Sequence, residues 1–125
     1  MTELDWLRSE FERCWPWLQA ALEREPDTYR KEHVWKALET GDASLWPTPN
    51  SCCLVSIKDY PTGRRGLLGW LAGGDLQEIK KTEIALQAYA REMGCHHMEL
   101  FGRRGWFREF EGYREAAVVL RKDLE

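Results

Sequence analysis

The chain has 125 residues, of which 43% are hydrophobic, and it carries a formal net charge of −3. This length predicts one domain over residues 1–125 with a hydrophobic core of its own. Interspersed acidic and basic residues argue against nucleic acid as a partner, and the lack of any run of about eighteen apolar residues argues against a membrane span, so we expect a cytoplasmic protein.

Two amphipathic helices are predicted at the start of the chain. Apolar residues recur at three- and four-residue steps over residues 3–24, which is the spacing of one helix face. Pro16 lies inside this segment, so either the helix kinks there or a second helix begins there. A further helix is predicted over residues 29–40, and Gly41 is a natural stop for it.

Three strands are predicted next along the chain. Residues 43–47 predict a short strand, and residues 51–60 predict a stronger one with alternating apolar positions. Residues 67–73 are mostly apolar, as is typical of a central strand. Because the string YPTGRRG between the last two is rich in turn residues, residues 51–73 predict a β-hairpin.

The clearest predicted element is a long helix over residues 75–93. Asp75 can cap its first turn, and Gly94 follows its last residue. Its apolar stripe consists of Leu76, Ile79, Leu86, Ala90 and Met93. Glu83 falls inside this stripe. We favour an edge position whose carboxylate reaches solvent, with a carboxylate directed into a cleft as the alternative.

The last third of the chain predicts two strands around a short helix or turn. The strands are residues 96–102 and 113–124, and the short element is residues 105–110. Residues 67–101 then form a strand–helix–strand unit, which favours a parallel crossover. The order predicts an α/β (α+β) domain with a mixed sheet.

The cysteines and histidines predict no metal site. Cys14, Cys52, Cys53 and Cys95 include no pair at the C-x-x-C spacing, so we expect free thiols. Cys95 is followed by two histidines, but neighbouring residues on a strand point to opposite faces and cannot all bind one ion.

Four strings of the sequence carry a resemblance to a known family. They are GLLGWLAGG, EIALQAYAREMGC, MELFG and WFREFEGYREAAVVLRKDL, and together they lie within residues 51–125. In order and local character they resemble the fourth strand, third helix, fifth strand and closing segment of the Gcn5-related N-acetyltransferases. This resemblance implies a mixed central sheet with two N-terminal helices, one long crossover helix and a short C-terminal helix.

The resemblance implies acetyl-CoA as cofactor, bound between the strands at 67–73 and 96–101. Glu99 would be the catalytic base, and the implied cofactor-binding residues are Trp70, Leu71, Ala72, Gly73, Gly74, Asp75 and Leu76. The chain departs from the family pattern at two places. Its strand-to-helix turn lacks the Arg-x-x-Gly-x-Gly loop and has Asp75 there. Arg108 stands where the family commonly has the tyrosine that acts as general acid, and Tyr113 occupies a packing position.

Other functions stay open alongside an active enzyme. The alternative is a non-catalytic accessory, assembly or host-interaction module. It is favoured by the two departures from the family pattern and by a likeness to compact tryptophan-rich relatives from phage and prophage genomes. The string GRRG occurs at residues 63–66 and 102–105. We expect Arg64 and Arg65 to be solvated turn residues. We expect a protein-partner or phosphate contact at the second copy, through Arg103, Arg104 and Trp106.

Overall fold

One mixed four-stranded sheet forms the centre of the computed structural model, which describes residues 2–102 and 104–124 and leaves the side chains of 104, 106 and 107 outside that description. The strands are β1 (Ser44–Thr48), β2 (Ser51–Asp59), β3 (Arg65–Gly74) and β4 (His97–Leu100), in that spatial order. The first three are antiparallel neighbours, and β3 pairs with β4 in parallel. The predicted hairpin and the parallel crossover are both confirmed.

The helices also follow the predicted order. They are α1 (Glu3–Leu22), α2 (Lys31–Thr40), α3 (Leu76–Glu92) and α4 (Arg104–Glu109). Pro16 lies inside α1, so the first segment is one helix rather than two. Thr2 and Asp5 close a capping box at its start, and Gly41 ends α2 in the left-handed region at φ 84°. No helix of residues 2–102 and 104–124 is long and apolar enough to cross a bilayer.

The α1 and α2 helices pack on one face of the sheet. The buried residues of this layer are Phe11, Cys14, Leu18, Leu22, Val34, Leu38, Ala43, Cys52, Leu54 and Leu71. Alternation along the strands explains this set, because Cys52 and Leu54 point to one face of β2 and Cys53 and Val55 to the other. The helices on this face position the middle of β3, because Leu71 is buried in the same cluster.

The α3 helix covers the opposite face of the sheet. Val55 and Leu67 from the strands contact Leu86 and Ala90 from the helix. A neighbouring cluster joins Cys53, Ile79 and Phe110. The predicted apolar stripe of α3 is therefore the surface that packs on the sheet, although Met93 at its end is 38% exposed.

The prediction of an exposed Glu83 is wrong. Glu83 is only 8% exposed, and the Gln87 side-chain amide lies 2.5 and 2.6 Å from its two carboxylate oxygens. Residues four apart share a helix face, so Gln87 supplies the hydrogen bonding that a buried carboxylate needs. The alternative interpretation, a carboxylate directed into a cleft, describes this residue.

The predicted strand over residues 113–124 is also wrong. This segment is irregular and, after Tyr113, exposed, with Val118 65%, Val119 74% and Leu120 90% accessible. A β-branched run forms a strand only where a neighbouring strand and a packing surface accept it. Within the described residues the sheet ends at β4, and an ion pair between Arg121 and Glu25 instead holds the segment near the end of α1.

Two identical substitutions separate core from surface. Leu18 is fully buried and Leu120 is 90% exposed. We expect Leu18→Ala to lower the free energy of unfolding by about 3 kcal/mol through lost burial and a cavity, and Leu120→Ala to change it by less than about 0.5 kcal/mol. Urea denaturation followed by circular dichroism measures both. A loss at Leu120 equal to that at Leu18 would show that the C-terminal segment packs into the core.

Candidate functional site

The two parallel strands separate after a short paired stretch. Their register runs from Gly66 opposite His97 to Gly69 opposite Leu100, whereas β3 continues to Gly74. Beyond the paired stretch a cleft of about 1190 Å³ opens between the strands. Its walls are mainly apolar and include Trp70, Leu71 and Ala72 from β3, Leu100 at the end of β4 and Phe101 after it.

A β-bulge lies where the strands separate. Leu54 pairs with Leu71 and Val55 pairs with Gly69, so Trp70 is an extra residue in β3 with no partner in β2. A bulge redirects local backbone and side chains, and bulges are frequent beside active sites. The Trp70 ring contacts Tyr29 edge-on at 5.0 Å. The bulge therefore sets one wall of the cleft.

The C-terminal segment contributes to the same cleft. Ala117, Val118, Val119 and Arg121 lie along it although Val118 and Val119 remain mostly exposed. From the α3 side the cleft is lined by Ile79, Glu83 and Leu86. Glu83 thus places a carboxylate in largely apolar surroundings.

The two predicted cofactor-binding glycines at the end of β3 serve the fold. A Cβ atom on Gly73 would lie 2.8 Å from the Trp17 carbonyl oxygen, and one on Gly74 would lie 2.3 Å from the Asn50 carbonyl oxygen. Gly74 also has φ +105°, which side chains other than glycine rarely adopt. The side of each glycine that would carry a side chain is therefore packed against α1 or the β1–β2 turn.

Carboxylates occupy the start of α3. Asp75 accepts a hydrogen bond from the Glu78 backbone N–H at 3.0 Å, as predicted for the cap. Glu78 accepts one from the Asn50 backbone N–H at 2.9 Å. Hydrogen bonds from the Thr48 hydroxyl and the Asn50 amide lower the pKa of Glu78. Negative charge at this helix end complements the helix dipole but competes with a phosphate.

Glu99 belongs to a polar network on the face of β4 opposite Met98. Its Oε1 accepts a hydrogen bond from the Tyr60 hydroxyl at 3.0 Å and lies 2.7 Å from His97 Nε2. The hydrogen bond to Glu99 raises the pKa of Tyr60, since that bond favours the neutral phenol. Glu99 lines a second cleft of about 820 Å³ rather than the large one. The next residue in the chain, Leu100, lines the large cleft.

Arg64 is exposed and Arg65 half-buried, and beyond the expected contact with solvent both arginines make hydrogen bonds within the chain. Arg64 donates from Nε to His97 Nδ1 at 2.8 Å. Arg65 donates to Asp59 at 2.6 Å and to the Met93 carbonyl oxygen at 2.8 Å. The turn after β2 therefore connects the hairpin to β4 and to the end of α3.

The tyrosine and arginine that occupy the family's acid region differ in their surroundings. Arg108 is exposed on α4. The Tyr113 hydroxyl is buried without a hydrogen-bond partner among the described residues. Burial, with the negative charge of Glu83, raises the pKa of Tyr113 to about 12. Tyr113 therefore keeps its proton over the physiological range.

The predicted contact at the second GRRG string falls on residues that the structure does not describe. Arg103 lies outside the described residues, as do the side chains of Arg104 and Trp106, so the second GRRG string stays a prediction. Across residues 2–102 and 104–124 no cluster of His, Cys, Asp and Glu side chains is placed to hold a metal ion.

Sequence reasoning identified Glu99 but missed its partners. His97 could have been found, since residues two apart on a strand share a face. Tyr60 lies 39 positions before its hydrogen-bond partner Glu99. Arg64 lies 33 positions before its partner His97. Only the register between β3 and β4 brings them together.

Three solved structures, two of them acetyltransferases, resemble this chain over most of its length. An acetyltransferase from Trypanosoma brucei is 18% identical and superposes with a TM-score of 0.62 over 98% of this chain and 96% of its own. Glucosamine-6-phosphate N-acetyltransferase from Arabidopsis thaliana is 14% identical, with a TM-score of 0.62 over 99% and 95%. A tetramutant of a Bacillus halodurans protein is 13% identical, with a TM-score of 0.61 over 85% and 86%.

No protein-family model and no curated protein sequence matches the chain. At identities this low the likeness concerns the fold alone. Element order, mixed sheet and separated parallel strands agree with it. The chain therefore has a divergent form of the Gcn5-related N-acetyltransferase fold, as its sequence predicted.

Proposed function

We propose that this chain is an acetyl-CoA-dependent N-acetyltransferase that acts in the cytoplasm on a small or peptide-borne amine. The observation that carries the proposal is the separation of β3 and β4 after Gly69 and Leu100. It leaves one edge of β3 without a strand partner among the described residues, beside a cleft of about 1190 Å³. An extended chain with amide groups can pair with such an edge.

The cleft fits the acyl-bearing arm of acetyl-CoA. The backbone of Trp70, Leu71 and Ala72 would hold the arm, because these residues follow the last β3–β4 pair and line the cleft. The apolar walls exclude water from the thioester. Acetyl-CoA bound there would supply an acetyl thioester as electrophile: the amine nitrogen would form a bond to the acetyl carbon, the C–S bond would break, and CoA would leave as a thiolate that takes up a proton from solvent.

The phosphate end of acetyl-CoA is less well matched. Gly73, Gly74, Asp75 and Leu76 lie at the start of α3, but both glycines are packed against the chain itself and Asp75 carries a negative charge there. The helix N-terminus still favours an anion through its dipole. We therefore expect most of the binding free energy to come from the arm.

Glu99 is the residue we assign as proton acceptor. Its side chain is 35% exposed, and Oε1 is engaged by Tyr60 and His97, which leaves Oε2 without a hydrogen-bond partner among the described residues. A carboxylate can take the amine proton directly or through one water. Arg108 stays protonated, and Tyr113 has a pKa of about 12, so neither is a good proton donor to a leaving thiolate.

A binding module without catalysis is the second candidate. The exposed apolar residues of the C-terminal segment favour it, since Leu120 and Leu124 are 90% and 87% accessible. Grouped apolar side chains at the surface are typical of sites that contact another protein. Binding of acetyl-CoA separates the two candidates.

Isothermal titration calorimetry with purified full-length chain tests the proposed function. We expect acetyl-CoA to bind with a dissociation constant in the micromolar range, that is about −8 kcal/mol at 1 μM. Lys36→Ala on the exposed face of α2, which lines neither cleft, is the control and should leave the affinity unchanged. Absence of heat at millimolar acetyl-CoA would contradict the acetyltransferase proposal and favour the binding module.

The exchange Asp75→Asn should strengthen acetyl-CoA binding. Asparagine caps helices about as well as aspartate but removes the charge, so we expect a two- to fivefold gain in affinity, about 0.3–1 kcal/mol, at unchanged stability. Asp75→Ala, the matched variant, should lose about 1 kcal/mol of stability with the cap. Calorimetry and urea denaturation measure the two effects. An unchanged or weaker affinity in Asp75→Asn would place the phosphates away from α3.

The exchange Glu99→Gln should lower turnover without affecting acetyl-CoA binding. Glutamine keeps an acceptor oxygen for Tyr60 and His97 but cannot take a proton, so we expect kcat to fall by about 10²- to 10⁴-fold. Thiol release from acetyl-CoA in the presence of a panel of primary amines measures it, with Glu92→Gln on exposed α3 surface as control. Equal kcat in the Glu99→Gln variant and the parent chain would remove Glu99 from the mechanism.

A further inference from the structure

A continuous line of hydrogen bonds joins the turn after β2 to Glu99. Arg64 donates from Nε to Nδ1 of His97 at 2.8 Å, and His97 Nε2 lies 2.7 Å from Oε1 of Glu99. Tyr60 donates its hydroxyl to the same Oε1 at 3.0 Å. The line thus begins at a cation, passes through an imidazole and ends at a carboxylate.

The chemistry of the partners fixes the proton on His97. A guanidinium can only donate, so Nδ1 of His97 must be the bare nitrogen that accepts. A neutral imidazole carries its proton on the other nitrogen, so Nε2–H donates to Glu99. Arg64 therefore selects the one neutral tautomer that can hydrogen-bond to the carboxylate.

Packing holds the imidazole in the same place. A Cβ atom on Gly66 would lie 2.5 Å from His97 Nε2, so the ring lies directly against bare backbone of β3. The Tyr60 ring is tilted against it, with centroids 5.8 Å apart, and the His97 side chain is only 20% exposed. Ring orientation is thus set by contacts from both β3 and the turn after β2.

The charges around His97 come from several elements. Lys58 of β2 lies with its Nζ 5.0 Å from the Tyr60 ring. The cleft beside His97 is also lined by Arg91 of α3 and by Glu111 and Arg114 of the C-terminal segment. Arg64 and Glu99 hydrogen-bond to the imidazole, and the Tyr60 ring packs against it.

We propose that Arg64 and His97 are positioning residues for Glu99. Arg64 holds His97 as the Nε2–H tautomer, His97 and Tyr60 fix Oε1, and Oε2 is thereby directed to the amine proton. This inference rests on the proposed function for the role of Glu99, whereas the tautomer itself does not depend on any activity. The first GRRG string is then part of the site through Arg64.

Nitrogen-15 NMR of the imidazoles in the full-length chain tests the proposal without a substrate. At pH 7.5 we expect the His97 proton on Nε2 and Nδ1 bare. Arg64→Met keeps an unbranched side chain but removes the donor, so a share of His97 should acquire a proton on Nδ1. His96, whose Nδ1 accepts from the Arg65 backbone N–H at 3.0 Å, is an internal reference that should not change.

Matched variants make the result specific. Arg65→Met removes the neighbouring guanidinium, which contacts Asp59 and Met93 instead, and should leave the His97 signals as in the parent chain. Arg64→Lys, which retains a cationic donor, should restore part of the parent tautomer. A His97 proton on Nδ1 in the parent chain, or identical His97 signals in Arg64→Met, would overturn the proposal.

Kinetics with any amine that the chain acetylates adds a functional readout. Arg64→Met should lower kcat by roughly tenfold to a hundredfold, as misplacement of a reacting group does, and leave the affinity for acetyl-CoA unchanged. An unchanged kcat in a variant with altered His97 signals would overturn the positioning role. Failure of the proposed function looks different, because acetyl-CoA would then not bind while the tautomer remained as expected.

Discussion

The short parallel pairing between β3 and β4 is the constraint on which the site depends. It holds only from Gly66 to Gly69 on β3, while antiparallel pairing with β2 accompanies β3 through to Gly74. Because β2 pairs with β3 along its other edge, β3 continues beyond its last pair with β4. The cleft therefore opens without loss of pairing within the β2–β3 hairpin. The extra residue Trp70 falls at this point and turns its ring toward Tyr29.

The same four-residue pairing positions the polar network. Opposite Leu68 stands Glu99, and opposite Gly66 stands His97, so the imidazole packs where β3 has no side chain. Arg64 and Arg65 are neighbours in the chain but contact different elements. Arg65 ties the turn to the end of α3 through the Met93 carbonyl oxygen, and Arg64 reaches across to His97. A shift of the β3–β4 register by one residue would disrupt both.

Local patterns in the sequence predicted most of the fold. Periodicity identified the helices, turn residues the hairpin, and Asp75 the cap of α3, because each depends on neighbours a few positions away. The strand at 113–124 was wrong because β-branched residues require a neighbouring strand, which no local pattern contains. The expected exposure of Glu83 was wrong because its place in the stripe buries it, and Gln87 supplies the hydrogen bonds that the buried carboxylate needs.

The site was predictable only in part, for the same physical reason. Glu99 stands on a recognisable strand, but Tyr60, which donates to it, and Arg64, which donates to His97, precede the crossover helix in the chain. Gly73 and Gly74 show another effect that depends on distant residues. The sequence shows two glycines before a helix, but only the fold shows that Trp17, Asn50 and Ser51 lie where their side chains would be.

Carboxylates at the start of α3 decide where selectivity for a donor can reside. Asp75 caps Glu78, and Glu78 in turn binds the Asn50 amide, so the helix start is joined to the β1–β2 turn. That arrangement stabilises the fold locally while opposing a phosphate with a negative charge. If the proposed function holds, discrimination among thioesters would fall to the β3 edge and the apolar walls of the large cleft. The donor would then be distinguished by its acyl end more than by its nucleotide.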